Sequence, residues 1–223
     1  MHTRDLIQFL AELSENNNRA WFVMNKPRYD ILRVEFLELV TKLIIDISKF
    51  DSEVAHCNPK KALFRINRDM RFSHDKSPYK TRFSAAITAS GLKKPSQGGG
   101  PAYYFHIDAD GTLLVAGGEY IPPPDRLKTI RQHVIIDATG FSKVLKSRKL
   151  KETFGDLQGE GSLKRPPKGF DIDVPHLEYI KMKSFIVWKE TSLKEKIPAD
   201  LEKEVVAGFK HAYPLVAWLR QAK

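Results

Sequence analysis

Residues 103–120 read Tyr103-Tyr104-Phe105-His106-Ile107-Asp108-Ala109-Asp110-Gly111-Thr112-Leu113-Leu114-Val115-Ala116-Gly117-Gly118-Glu119-Tyr120. Two runs rich in β-branched and aromatic residues flank Asp110-Gly111, a dipeptide that takes positive φ readily. The stretch therefore predicts a β-hairpin with a two-residue type I′ turn. In that register Ala109 faces Thr112 and His106 faces Val115. Tyr104, His106 and Asp108 share one face of the first strand; Tyr103, Phe105 and Ile107 share the other. Gly117 and Gly118 then lie opposite Tyr104 and Tyr103. Glycines inside a strand signal a bulge, room for a large neighbouring ring, or close approach of a ligand.

Upstream of the hairpin the apolar period is also two. Ala62, Phe64 and Ile66 alternate with Leu63, Arg65 and Asn67, and Phe83, Ala85 and Ile87 alternate with Arg82, Ser84 and Ala86, so both stretches predict strands. Residues 183–188 are short, β-branched and aromatic enough for one more. Both ends of the chain are helical in pattern. Thr3 is a candidate N-cap for a helix carrying Leu6, Phe9, Leu10 and Leu13, interrupted at Asn16-Asn17-Asn18. A short piece follows at Trp21 and Phe22. Pro27 then starts a long helix with Ile31, Val34, Leu37, Val40, Ile44 and Ile47 as its apolar face. Pro122-Pro123-Pro124-Asp125 leads into a helix through Leu127, Ile130 and Val134, and Asp137-Ala138-Thr139-Gly140 starts another around Phe141, Val144 and Leu145. After Pro198 a terminal helix carries Leu201, Val205, Phe209, Val216 and Leu219, with Pro214 expected to bend or break it. Helices, then strands in hairpins, then helices predict a single α+β domain over residues 1–223. Its sheet is mainly antiparallel, with helices packed on one face and at the ends. Residues 93–101, with Gly98-Gly99-Gly100, read as a surface loop.

At 223 residues and 42% apolar, the chain can bury a full core, which excludes intrinsic disorder and a disulfide-stapled miniprotein. The single Cys57 excludes an intrachain disulfide and a zinc site built on two cysteines. No apolar run is long enough to span a bilayer, and Met1-His2-Thr3-Arg4-Asp5 lacks the sections of an export signal, so the expectation is a cytoplasmic protein without a membrane partner. The 37 basic against 27 acidic residues give a formal charge of +10 and favour anionic partners.

That charge is concentrated. Residues 1–57 hold seven Lys or Arg against nine Asp or Glu, whereas residues 58–82 hold eight against only Asp69 and Asp75, or +6 of the +10. A second basic run, Lys143, Lys146, Arg148, Lys149 and Lys151, fits a solvated helix face. A third, Lys164-Arg165-Pro166-Pro167-Lys168, lies in a loop fixed by prolines. In the first stretch the arginines interleave with aromatics, and arginine presents a planar fork of donors suited to phosphate or carboxylate. On the strand reading Arg65 and Arg82 project opposite Phe64, Ile66 and Phe83, on a face His106 can share. The candidate ligand-binding residues are Arg65, Arg68, Asp69, Arg71, Lys76, Tyr79, Lys80, Arg82, Tyr104, Lys164 and Arg165. Asp69 would orient Arg68 or Arg71, and Asp75 would orient Lys76 or Lys80. His106 is the candidate catalytic acid or base, since imidazole titrates near neutrality. His106-x-Asp108 supplies at most two metal ligands, so no metal is expected, and no cofactor motif is present. Phosphate-loop, nucleophile-elbow, zinc-protease and dinucleotide signatures are absent from the sequence.

Several stretches together resemble the bacterial domain-of-unknown-function family 2461. They are Asn16-Asn17-Asn18-Arg19-Ala20-Trp21-Phe22; Phe64-Arg65-Ile66-Asn67-Arg68-Asp69-Met70-Arg71-Phe72-Ser73-His74-Asp75-Lys76-Ser77-Pro78-Tyr79-Lys80; Gly100-Pro101-Ala102-Tyr103-Tyr104-Phe105-His106-Ile107; Leu163-Lys164-Arg165-Pro166-Pro167-Lys168-Gly169-Phe170; and Lys181-Met182-Lys183-Ser184-Phe185. The resemblance implies a single-domain cytoplasmic protein and carries over no substrate or catalytic residue. From the residues, the expectation is binding of a phosphate-bearing or other anionic small ligand on an arginine-rich sheet face, with acid or base chemistry at His106 if there is chemistry. The alternative is a nucleic-acid-associated or interaction protein without catalysis, in which the same face and the 143–151 run track a phosphate backbone.

Overall fold

The hairpin forms one residue out of the expected register. In the computed structural model, which describes residues 1–69, 71, 75–89, 100–159 and 161–223, strands β2 (Ala102–Asp108) and β3 (Thr112–Glu119) pair antiparallel, with His106 opposite Leu114 and Tyr103 opposite Gly117. The cause is Asp108. Its carbonyl accepts from Gly111 N (3.1 Å), and its Oδ1 accepts from the amides of Asp110 (3.0 Å) and Thr112 (2.9 Å). Gly111 takes the left-handed φ of +69°. The chain thus turns through a side-chain-capped loop longer than a type I′ pair. A slip of one residue exchanges the faces of a strand. Here it puts Val115 beside Phe105 in the core and leaves Leu114 beside His106.

β1 (Arg82–Thr88) pairs with β2, and β4 (Phe185–Ser192) pairs with β3, giving one antiparallel sheet of order β1-β2-β3-β4. One face carries Phe83, Ala85, Ile87, Tyr103, Phe105, Ile107, Leu113 and Val115, which are buried with residues of α1 (Thr3–Glu15), α3 (Lys26–Ser48) and α9 (Leu201–Gln221). A second apolar cluster joins Phe185 and Val187 to Ala212, Leu215, Trp218 and Leu219 of α9 and to α5 (Pro124–Ile136), α6 (Ala138–Leu145) and α7 (Arg148–Phe154). Helix α9 therefore belongs to both cores. It approaches the sheet closely because two glycines let it. A Cβ on Gly117 would lie 2.5 Å from Ala212 Cβ, and one on Gly208 would lie 2.8 Å from Val115 Cγ1. Gly118 is required for another reason. Its φ is +130°, and a Cβ there would lie 2.3 Å from the Phe185 carbonyl oxygen. These glycines thus admit a helix and a neighbouring strand, not an aromatic ring or a ligand.

Asp51, just past α3, is 2% exposed and holds the two cores' shared elements together. It takes both Nη atoms of Arg220 (2.7 and 2.9 Å) and the hydroxyl of Tyr103 (2.7 Å), so the end of α3, β2 and the last turn of α9 meet at one carboxylate. Such a pair is costly to bury and costlier to break.

Four expectations are corrected. Residues 61–67 form no strand: the chain makes the short helix α4 (Pro59–Ala62) and then meets the sheet and the loop neck through the isolated bridges Leu63–Ala85 and Asn67–Tyr79 without a continuous ladder. Thr3 is the first helical residue, and the cap position falls on His2. Ile31 and Val34 are exposed, because α3 turns Leu32, Phe36, Leu39, Leu43 and Ile47 inward instead. Helix α9 runs on through Pro214, where burial of Leu215, Val216, Trp218 and Leu219 outweighs the lost hydrogen bond. The expected 93–101 loop lies, up to Gly99, outside the described residues. Among the described residues no helix is long and apolar enough to cross a membrane.

Candidate functional site

The sheet face away from α9 carries Arg82 and Ser84 on β1, and Tyr104, His106 and Asp108 on β2, because Arg82 is opposite Asp108 and Ser84 is opposite His106. Part of this face is covered: Ala86, Thr88, Ala102 and Ala116 are buried. The end nearer the hairpin turn is more open, and there Arg82 is exposed. Cross-strand placement would ordinarily pair Arg82 with Asp108. Asp108 is instead committed to the turn amides, and Arg82 forms no ion pair with a described residue.

Behind Arg82 a crevice of about 10 Å³, the size of one water-scale group, is bounded by Arg33, Phe64, Ser84 and Phe83 among others. Arg33 is exposed on α3 and, like Arg82, lacks an ion pair with a described residue; it does hydrogen-bond Tyr29. Two cations from different elements thus border one crevice. Phe64 packs edge-on against Tyr104 with centroids 6.0 Å apart, and Lys80 Nζ lies 5.3 Å from the Phe64 ring centre while donating to the Arg65 carbonyl (3.1 Å).

His106 is 7% exposed. Burial, assisted by the Arg82 charge and opposed by Asp108, pulls its imidazole down to about 4, so the ring is neutral at pH 7. Its Nδ1 lies 3.1 Å from the Tyr104 hydroxyl. Burial pushes the Tyr104 phenol up, opposed by the Arg82 charge and then by a hydrogen bond with Ser84. In the tautomer in which Tyr104 donates to Nδ1, the ring proton sits on Nε2, which hydrogen-bonds no described residue.

The basic stretch folds as a loop closed at its neck. Arg68 N donates to the Pro78 carbonyl (2.9 Å), and Lys80 N donates to the Ile66 carbonyl (2.8 Å). The tip turns its charges on one another. Arg68 pairs with Asp75, whose carboxyl is held at about 2 by Ser77 first and Arg68 second. Arg71 takes Asp69 through Nε (2.9 Å) and Nη2 (2.7 Å), which holds that carboxyl at about 2. Asp69 therefore orients Arg71 as expected, whereas Asp75 serves Arg68 and Ser77 instead of Lys76 or Lys80. Arg65 and Lys76 are exposed. Tyr79 is spent in the core: its ring stacks on Phe22 at 4.0 Å, and Asn17 brackets its backbone with two 3.0 Å hydrogen bonds. Phe64 packs toward Tyr104 and so leaves the side shared by Ile66 and Phe83. Met70, Phe72, Ser73 and His74 of the motif lie outside the described residues.

The structure thus brings Arg82, Tyr104, His106, Lys80 and the Arg65 backbone together. It does not bring Lys164 and Arg165 to them. Leu163 N bonds the Lys181 carbonyl (3.0 Å), and Gln158 N bonds the Ile186 carbonyl (2.8 Å), so that segment runs along β4, at the sheet edge opposite β1. The 143–151 run lies on α6 and α7, against α9 and β4, also away from β1; there Arg148 and Lys149 approach Glu152 at 2.7 and 3.8 Å. Arg33 was missed. It stands between Tyr29 and Phe36 at helical spacing, a lone cation on a stripe that packs against Phe83.

Fold and site together define a small α+β protein whose antiparallel sheet is roofed by helices on one side and carries Arg82 and a neutral histidine on the other, with Arg33 reaching the sheet edge from the helix side. The chain belongs to the family described as Conserved hypothetical protein (DUF2461), which matches residues 5–218. No curated protein and no solved structure matches it.

Proposed function

We propose that the protein binds a phosphate-bearing or other anionic small ligand on the surface between exposed Arg33 and Arg82, at the mouth of the crevice, whose interior of about 10 Å³ admits only a water-sized group. The observation that carries this reading is the uncommitted state of Arg82: its cross-strand partner Asp108 is used up by the turn, and a second arginine without an ion pair to a described residue stands across the crevice. Two planar donor forks suit a tetrahedral or carboxylate oxyanion. His106 lies near Arg82 on the open sheet face but does not line the crevice; with its imidazole at about 4 it holds no spare proton at pH 7, so no general-acid chemistry is assigned to it. A cytoplasmic setting belongs to the same proposal; what supports it is the sparing use of cysteine, a single buried residue and no disulfide framework.

The test is a calorimetric titration with inorganic phosphate and pyrophosphate. Arg82→Ala and Arg33→Ala should each weaken binding by about tenfold or more, equivalent to about 1.4 kcal/mol. Undiminished affinity in Arg82→Ala would remove the proposal. A single-stranded oligonucleotide titrated at low salt reads the nucleic-acid alternative in parallel: tight binding that fades steeply with salt would favour it.

A further inference from the structure

Arg131 on α5 is buried to 7% exposure, yet it makes no ion pair with a described residue. Its Nη2 donates to the Met182 carbonyl (2.9 Å), and its Nε is buried without a partner. Arg220, of similar depth, also leaves its Nε buried without a partner, but it has what Arg131 lacks, a carboxylate gripped by both Nη atoms. A buried guanidinium without a counter-charge is an incomplete arrangement. The segment that carries its acceptor is itself basic. Met182 is bridged to Ser162, and the flanking Lys183 reaches back so that its Nζ lies 4.0 Å from where a Gly161 Cβ would sit. Lys183 is exposed and forms no ion pair with a described residue, while Lys181 is neutralised by Glu178 at 2.9 Å. The segment bridged to Met182 continues into Lys164 and Arg165, both exposed.

We infer that Arg131 and Lys183, with the paired segments 161–163 and 181–183, form a second oxyanion site for a phosphoryl or carboxylate group, separate from the Arg33–Arg82 crevice. The guanidinium supplies a fixed fork anchored on the Met182 carbonyl, Lys183 supplies a movable charge, and Lys164 and Arg165 draw the anion in. This accounts for two sequence motifs, around residues 163–170 and 181–185, that the first site does not use.

The experiment is a thermal-shift and calorimetric titration of the full chain with phosphate, with acetate as the carboxylate arm, on wild type, Arg82→Ala, Arg131→Met and Lys183→Ala. The expected result is that Arg82→Ala keeps one phosphate site, whereas Arg131→Met loses that site and melts, in anion-free buffer, at or above the wild-type temperature. Lys183→Ala should weaken the site about tenfold. A response to phosphate alone assigns a phosphoryl group, and a response to both anions assigns a carboxylate-tolerant fork. An Arg131→Met protein that melts lower yet binds phosphate as wild type does would overturn the site in favour of a structural arginine. If that variant fails to fold, the Arg131 Nε–H resonance of the wild type decides: it should shift on phosphate addition in the Arg82→Ala background, and a stationary resonance overturns the inference. Loss of binding in Arg82→Ala alone concerns the first site and leaves this one to be read from Arg131.

Discussion

Acidification from pH 7.5 to 5 tests the state of His106. The ring is buried beside Arg82, and its pKa is pulled from 6.5 to about 4. The folded protein keeps it neutral, while the unfolded chain takes up a proton once the pH falls below 6.5. The contribution to stability is therefore complete above 6.5 and is lost as the pH falls toward 4. Two-state linkage with these values removes about 2 kcal/mol by pH 5 and about 3 kcal/mol when titration is complete. His133 and His211 are also lowered by burial, so the raw pH slope is not that of His106 alone. The control is His106→Gln, whose amide keeps a polar side chain but does not titrate. Urea denaturation of both proteins at the two pH values should show the wild type losing about 2 kcal/mol more than the variant. Equal losses, or an NMR titration placing the His106 imidazole at 6 or above, would refute the buried, neutral ring.

Three further outcomes are expected. Asp51→Asn strips the counter-charge from buried Arg220 and should cost roughly 3–5 kcal/mol by chemical denaturation, whereas Tyr103→Phe, which removes one donor to that carboxylate, should cost roughly 1.5–3 kcal/mol. Gly117→Ala forces a methyl to within 2.5 Å of Ala212 Cβ and should cost roughly 1–3 kcal/mol of overpacking, read as a lower melting temperature. Gly118→Ala adds the strain of φ +130° to a clash with the Phe185 carbonyl and should yield markedly less folded protein than Gly117→Ala, measured as soluble yield and circular dichroism.

The class of fold was legible because its signals are local. Period-two runs around Asp110-Gly111 gave the hairpin, and helical spacing gave both ends. What misled was information held by partners in space. The hairpin register turned on a single carboxylate, Asp108, choosing the turn amides, which no alternation pattern reveals. The phase of α3 was misjudged because Ile31 and Val34 also fit a helical stripe, and only the sheet decides that Leu32 and Phe36 face it. The alternation over 61–67 suggested a strand, but Pro59 opens a helical turn, and β1 meets that segment at a single bridge, Leu63–Ala85. For the site, charge density pointed to the right neighbourhood without distinguishing committed from uncommitted arginines. Arg68 and Arg71 are consumed by acids two to seven residues away, while Arg33 and Arg131 stand outside any basic run. The 16–18 asparagines proved structural: Asn17 pins the Tyr79 backbone across 62 positions.

The clasp at Asp51 is made by a residue 169 positions further on, three from the end of the chain. Helix α9, which brings that residue, also furnishes the wall shared by both apolar clusters. Until α9 docks, then, neither cluster is sealed, and the strands keep their apolar flanks bare. Taking Arg220 away would leave its carboxylate entombed without a cation, so the docking of α9 and the closing of the clasp are one event.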